Sequence, residues 1–181
     1  MKILKKVLKF IVIIVILLVL IMAENKFKII DFNLVGVLSA LDSDEYTSKY
    51  IYVLNREDKS VEYEKNSRIK AYPASLTKIM TTIVALEHIN DLSSVAPVDV
   101  DTYMKMVKKN ASMAGFYGNE QVTYRDLLYG TILSSGGEAA NSLAINISSS
   151  VEEFVKLMNK KAKELGLKNT NFTNVEGLQD K

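Results

Sequence analysis

Cysteine is absent from this 181-residue chain, histidine occurs once and proline twice. Without cysteine there are no disulfides, no Cys-based zinc sites, no thiol catalysis and no lipidated Cys anchor. The single histidine, His88, excludes a His-rich metal site. Scarce proline, with 48% hydrophobic and 24% charged residues, excludes a disordered or collagen-like chain. Excess basic charge is also missing from most of the sequence. The net charge is +2, but residues 1–28 hold six Lys and one Glu. Residues 29–181 carry 17 basic and 20 acidic residues, or −3. The globular part therefore has no electrostatic footprint for nucleic acid, and no nucleic-acid partner is expected.

What is present begins with a membrane signal. Lys2, Lys5, Lys6 and Lys9 precede an unbroken apolar run of 14 residues, Phe10 to Ala23. Charge followed by an apolar core fits a signal peptide or a short signal anchor over residues 1–23. Ile21-Met22-Ala23 offers one small residue where a cleavage site wants two, which favours a retained anchor. With the lysines held in the cytoplasm, residues from Glu24 onward face outward. Residues 24–46 read as a spacer.

The β-branched and aromatic run Lys49–Leu54 predicts a strand, and Ser60–Tyr63 a second, with a polar turn at 55–59 making a hairpin. After Pro73, the segment Ala74–Ile89 is apolar on more than one face, with Lys78 its only charge as far as Leu86. It reads as a central, buried helix. Thr123 with Asp126 resembles a capping box ahead of Leu127, Leu128, Ile132 and Leu133. A helix over Glu138–Ile147 follows the Gly136-Gly137 break. Another starts at the Ser150/Glu153 capping box and closes at Gly166. The expected class is α+β: a helical lobe beside a small sheet.

The chemistry gathers at the start of the buried helix. Ser75 and Lys78, three apart, share a helix face. In the first turn after Pro73, Ser75 would sit at the positive end of the helix dipole, which favours a developing oxyanion. Lys78, one turn deeper in apolar surroundings, would lose its proton more readily than a solvated lysine. A neutral amine there could take the Ser75 proton, a nucleophile built without histidine. His88 lies 13 residues on, roughly 20 Å along the axis at 1.5 Å per residue, too far to serve as the base. It reads as a partly exposed helix-end residue. S-x-x-K also arises by chance, with Ser as a cap and Lys in solvent, so its context must decide.

That context resembles a family. Tyr72-Pro73-Ala74-Ser75-Leu76-Thr77-Lys78-Ile79-Met80-Thr81 is similar to the nucleophile string of the low-molecular-mass penicillin-binding proteins, the serine D-alanyl-D-alanine carboxypeptidases of peptidase family S11. Tyr117–Leu128 resembles the family's G-[DE]-x-[VL]-[ST]-x-x-[DE]-L-L segment. Leu133-Ser134-Ser135-Gly136-Gly137-Glu138-Ala139-Ala140-Asn141 resembles its second motif, S-G-N-[DE]-A-A. Leu165–Asn174 resembles L-G-[ML]-x-[NS]-T-x-F-x-N, with Gly177-Leu178 following.

The resemblance implies a partial β-lactamase/DD-peptidase-like fold over 47–181, with the hairpin as part of an incomplete antiparallel sheet. It implies Ser75 as acyl-ester nucleophile, Lys78 as general base, and Ser135 as the hydroxyl near Lys78 that passes a proton to the leaving amine. Ser134 stands in if the register is off by one. Gly137 takes the substrate-binding position of the motif Asn, a contact worth about 1–3 kcal/mol that water or Asn141 would have to replace. The implied partner is a peptidoglycan stem peptide ending in D-Ala-D-Ala. β-Lactams would be covalent inhibitors, no metal or cofactor is needed, and the site would lie at the outer face of a bacterial cell membrane, or be secreted after cleavage.

The third motif, K-[TS]-G, does not occur: no Lys after Ser135 is followed by Thr or Ser. The chain is therefore expected to be the N-terminal portion of a longer enzyme or a truncated product. Lacking an oxyanion donor worth about 10²–10³ in rate, it should turn over little or not at all. The competing readings are a membrane-anchored inactive penicillin-binding-like protein that holds cell-wall peptide, and a class A β-lactamase. The second is disfavoured because Ser135-Gly136-Gly137 stands where that class has S-D-N.

Overall fold

The computed structural model describes residues 46–179. The membrane segment expected over 1–23 and all but the last residue of the 24–46 spacer lie outside the described residues. The described residues fall into two compact units, 46–69 and 70–179.

In the first unit, β1 (Ile51–Leu54) pairs antiparallel with β2 (Val61–Lys65), from Ile51 opposite Lys65 to Leu54 opposite Val61. A bulge between Val53 and Leu54 shifts the register. The polar turn closes on itself. Asn55 N donates to Ser60 O at 2.8 Å, and Lys59 adopts φ 63°. Asp58 accepts from both the Ser60 amide and hydroxyl, which holds its carboxyl below the usual carboxylate range. Tyr46 meets Tyr63 edge-on at 5.2 Å.

The second unit begins with a 3₁₀ turn at Ala74–Leu76 that runs straight into α1 (Thr77–His88). There follow β3 (Val95–Pro97), α2 (Val100–Lys108), β4 (Gln121–Thr123), α3 (Tyr124–Leu133), α4 (Gly137–Ser148) and α5 (Val151–Glu164). Strands β3 and β4 form a second antiparallel pair, Ala96 opposite Val122. The described residues are thus α+β, helices with two small antiparallel sheets, as expected.

The helix termini follow local chemistry. Thr123 and Asp126 form a complete capping box at α3. Ser150 does only half of that job at α5. Its hydroxyl accepts from Glu153 N at 3.1 Å, while the Glu153 carboxylate turns to Lys156. Beyond α5, Gly166 takes φ 72° and Leu167 N returns to Ala162 O, so the helix closes where the glycine predicts.

The central element differs from the expectation. It is α4, buried from Gly137 through Ala144, and it packs against α1, α2, α3 and α5. Its small side chains let neighbouring backbones approach closely. Helix α1 buries only one face, with Lys78, Met80, Thr81, Val84 and Ala85. Leu76, Ile79, Ile83 and Leu86 lie exposed along the other. The core closes around Phe154, Met106, Leu127, Leu143 and Met158, all fully buried. Among the described residues, no helix is long and apolar enough to cross a membrane.

Candidate active site

Pro73 precedes the nucleophile turn, and Leu76 N donates to Pro73 O at 3.1 Å. Ala74 is held at φ 49°, in the left-handed region that a residue bearing a Cβ seldom adopts. The strain is stabilised from outside. A Cβ on Gly177, itself at φ 83°, would overlap the Ala74 carbonyl oxygen, so only glycine there lets the two backbones meet. Ser75 is exposed at the mouth of the site, whereas Lys78 is buried one turn below it.

The second hydroxyl arrives from the opposite side. Ser135, at φ 55°, sits in the break between α3 and α4. Ala74, beside Ser75, and Ser135 are two of the seven non-glycine residues at positive φ among the described residues. Ser135 Oγ donates to Ser75 Oγ at 2.8 Å. Lys78 Nζ lies 3.4 Å from Ser75 Oγ and donates to Glu176 O at 2.7 Å. The three side chains line one cleft of about 490 Å³, whose walls include Leu76, Ile79 and Ile132. Thr131 also borders it, with its hydroxyl buried and without a hydrogen-bond partner.

Burial pushes the Lys78 amine below the ordinary lysine value of 10.5, while the nearby Glu176 and Glu138 carboxylates push it back up. A neutral amine there could accept a proton, and its share grows as pH rises through that lowered value. Acyl transfer that uses it should therefore rise with pH and level off below 10.5.

Of the residues singled out from the sequence, the structure brings together Ser75, Lys78 and Ser135. Ser135 bonds Ser75. Ser134 caps α3 and is exposed. Gly137, placed at the substrate-binding position, does not line the cleft. It is buried in the first turn of α4, where its N–H donates to Ser112 O at 2.8 Å. A Cβ there would meet Met106 Sδ at 2.8 Å. Asn141 does not reach toward the cleft in its stead: its Nδ2 donates to Gly137 O and to Glu176 Oε2. His88 ends α1, with Nδ1 2.8 Å from Val84 O, at the far end of the helix from Ser75.

Two buried acids escaped the sequence reading. Glu138 Oε1 accepts from Ala114 N at 2.6 Å and Gly115 N at 3.0 Å, pinning the loop beneath Ser135. A lone carboxylate among glycine and alanine at 136–140 was its signal. Glu176 meets Lys78 across 98 positions, and nothing local in the sequence announces that contact.

Residues 38–181 match the D-alanyl-D-alanine carboxypeptidase family. The chain belongs to that family. It is 38% identical to the D-alanyl-D-alanine carboxypeptidase DacF of Bacillus subtilis over 139 residues, covering 75% of this chain and 35% of that protein. It is 33% identical to a D-alanyl-D-alanine endopeptidase of Pseudomonas aeruginosa, covering 77% and 41%. Among solved structures it is similar to penicillin binding protein 5 of Haemophilus influenzae, with TM-score 0.67, 32% identity and coverage of 74% and 40%. It is also similar to the Streptomyces K15 DD-transpeptidase, with TM-score 0.69, 33% identity and coverage of 75% and 55%. The chain thus spans a third to two-fifths of the length of these two curated relatives.

Proposed function

We propose that the protein is a penicillin-sensitive serine D,D-carboxypeptidase that removes the terminal D-Ala of peptidoglycan stem peptides through an acyl-serine intermediate. One observation carries this reading: Ser75 Oγ lies within reach of both a buried amine and a second hydroxyl, in one open cleft. Ser75 Oγ attacks the carbonyl carbon of the penultimate D-Ala, and its proton passes to neutral Lys78. The tetrahedral oxyanion forms near the amino end of α1, where the helix dipole favours negative charge. As the C–N bond breaks, Ser135 delivers a proton to the departing D-Ala amine and recovers one from Lys78. Water, deprotonated by the same amine, then attacks the ester and frees the shortened peptide and Ser75. A β-lactam, presenting a similar acyl bond, would stop at the ester. Action at the outer face of the cell membrane, with the N-terminal segment as signal or anchor, belongs to the same proposal.

Product analysis with a stem pentapeptide tests it, with protein in molar excess so that a slow single turnover is visible. The expected products are free D-Ala and the tetrapeptide, both lost in Ser75→Ala. Cleavage of a cross-linked dimer or transfer to an acceptor amine would reassign the reaction within the same chemistry. No peptide product together with no acyl adduct at Ser75 would overturn it. A second reading, a protein that binds cell-wall peptide without turnover, is favoured by buried Gly137 at the position of the motif Asn. It predicts saturable peptide binding with no covalent adduct.

A further inference from the structure

The steps above leave the two buried acids without a task. Glu138 has a structural one, since its Oε1 is occupied by the Ala114 and Gly115 amides. Glu176 is placed differently. It lies beyond α5, is 5% exposed, and belongs to a three-residue segment, Val175–Gly177, that meets α1 and the turn before it. Val175 O accepts from Thr81 Oγ1 on α1 at 2.8 Å. Glu176 O accepts from Lys78 Nζ at 2.7 Å, closer than the 3.4 Å from that nitrogen to Ser75. Gly177 backs onto the carbonyl of Ala74, the strained residue before the nucleophile. The Glu176 side chain folds back toward α4, where Oε2 accepts from Asn141 Nδ2 at 3.5 Å and Val175 N at 3.2 Å. Asn141 is in turn fixed by Gly137 O at 2.8 Å.

Burying a carboxylate is costly unless it is hydrogen-bonded and balanced. Here the balancing charge is Lys78, itself buried and in need of an anion. We propose that Glu176 is a positioning residue for acyl transfer that acts through Lys78: its carbonyl anchors Nζ beneath Ser75, and its carboxylate, clasped by Asn141, is the countercharge of that buried amine. The inference rests on Lys78 being the base. The charged groups acting on Lys78 are Glu176 from this segment and Glu138 from α4, both opposing the effect of burial. Only Glu176 also holds Nζ directly, through its main-chain carbonyl.

The test reads Lys78 itself. The full chain is labelled at lysine Cε with ¹³C, and the Lys78 resonance is assigned by its loss in Lys78→Arg. Its titration is compared with that in Glu176→Gln, which keeps the side chain's shape, an acceptor for Asn141 and the main-chain carbonyl. Removing a nearby opposite charge should lower the Lys78 midpoint by about one pH unit. Glu176→Asp, which keeps the charge, should stay closer to the wild type. The acid limb of penicillin acylation at Ser75 should move the same way. An unmoved midpoint in folded Glu176→Gln overturns the inference. If circular dichroism shows that variant to be unfolded, Glu176→Thr carries the same test with the same two outcomes. A shifted midpoint with no adduct at Ser75 would sink the enzymatic reading and the acyl-transfer role with it, and leave only the charge coupling between Glu176 and Lys78. An adduct with an unmoved midpoint would do the reverse.

Discussion

The hairpin and the helical unit use their apolar residues in opposite ways. Tyr52, Val53, Leu54 and Val61 are exposed in the hairpin, and none of the described residues 46–69 is fully buried. Its order comes from ladder bonds, the self-closing turn and one ring contact. In the helical unit, Phe154, Met106, Leu127 and Leu143 are sealed from water. The functional groups belong to the second kind of structure, yet at its rim: Ser75 is exposed while Lys78 beneath it is buried. Left-handed backbone at Ala74 and Ser135 costs of order 1–3 kcal/mol apiece, and it persists only where the surroundings over-determine it. The hairpin unit also holds left-handed residues, Lys59 and Asn66, but in exposed turns, and an open two-stranded ribbon is marginally stable by itself.

The sharpest way to break this contrast is to cut the core. Phe154→Ala should cost about 3–5 kcal/mol in chemical denaturation, by lost transfer energy and a residual cavity. Val61→Ala in the hairpin should stay within about 0.5 kcal/mol. Comparable losses would mean that the hairpin carries far more of the stability than its exposure indicates. Next comes Gly177→Ala, which places a methyl group on the Ala74 carbonyl at a φ that disfavours any side chain. A loss of about 3 kcal/mol or more is expected, together with slower acylation of Ser75. Unchanged acylation would show that Ala74 need not be held. Gly137→Asn, which restores the family's motif residue, should cost about 1–3 kcal/mol, because Met106 must give way. Pairing it with Met106→Ala should recover part of that loss. Smallest is Thr123→Ala, worth about 1 kcal/mol for the complete capping box of α3, read by the shift in unfolding midpoint.

Much of the site was legible because its chemistry is local. Ser75 and Lys78 are neighbours on one helical face, and the Ser135 string stands out by its motif. The misreadings share a physical cause. A dense apolar count made α1 look central, but Leu76, Ile79, Ile83 and Leu86 stay exposed. Helix α4 became the centre because alanine and glycine permit close approach, a matter of size that hydrophobicity counts undervalue. Helix α2 went unread although Asp99 caps it, accepting from Thr102 N at 2.8 Å, since only Met106 of its residues is buried. Strands β3 and β4 are three residues each, too short to show an alternating pattern. The Lys78–Glu176 contact was illegible because tertiary structure alone joins residues 98 positions apart.

The central claim is that Ser75 is the acylated nucleophile of a Ser–Lys site. The most direct measurement is intact mass after incubation with a penicillin, with the modified peptide mapped by fragmentation. The account predicts a single penicilloyl adduct on Ser75 that is absent in Ser75→Ala and strongly slowed in Lys78→Met. An adduct that persists in Ser75→Ala, or that maps to Ser135, would contradict it.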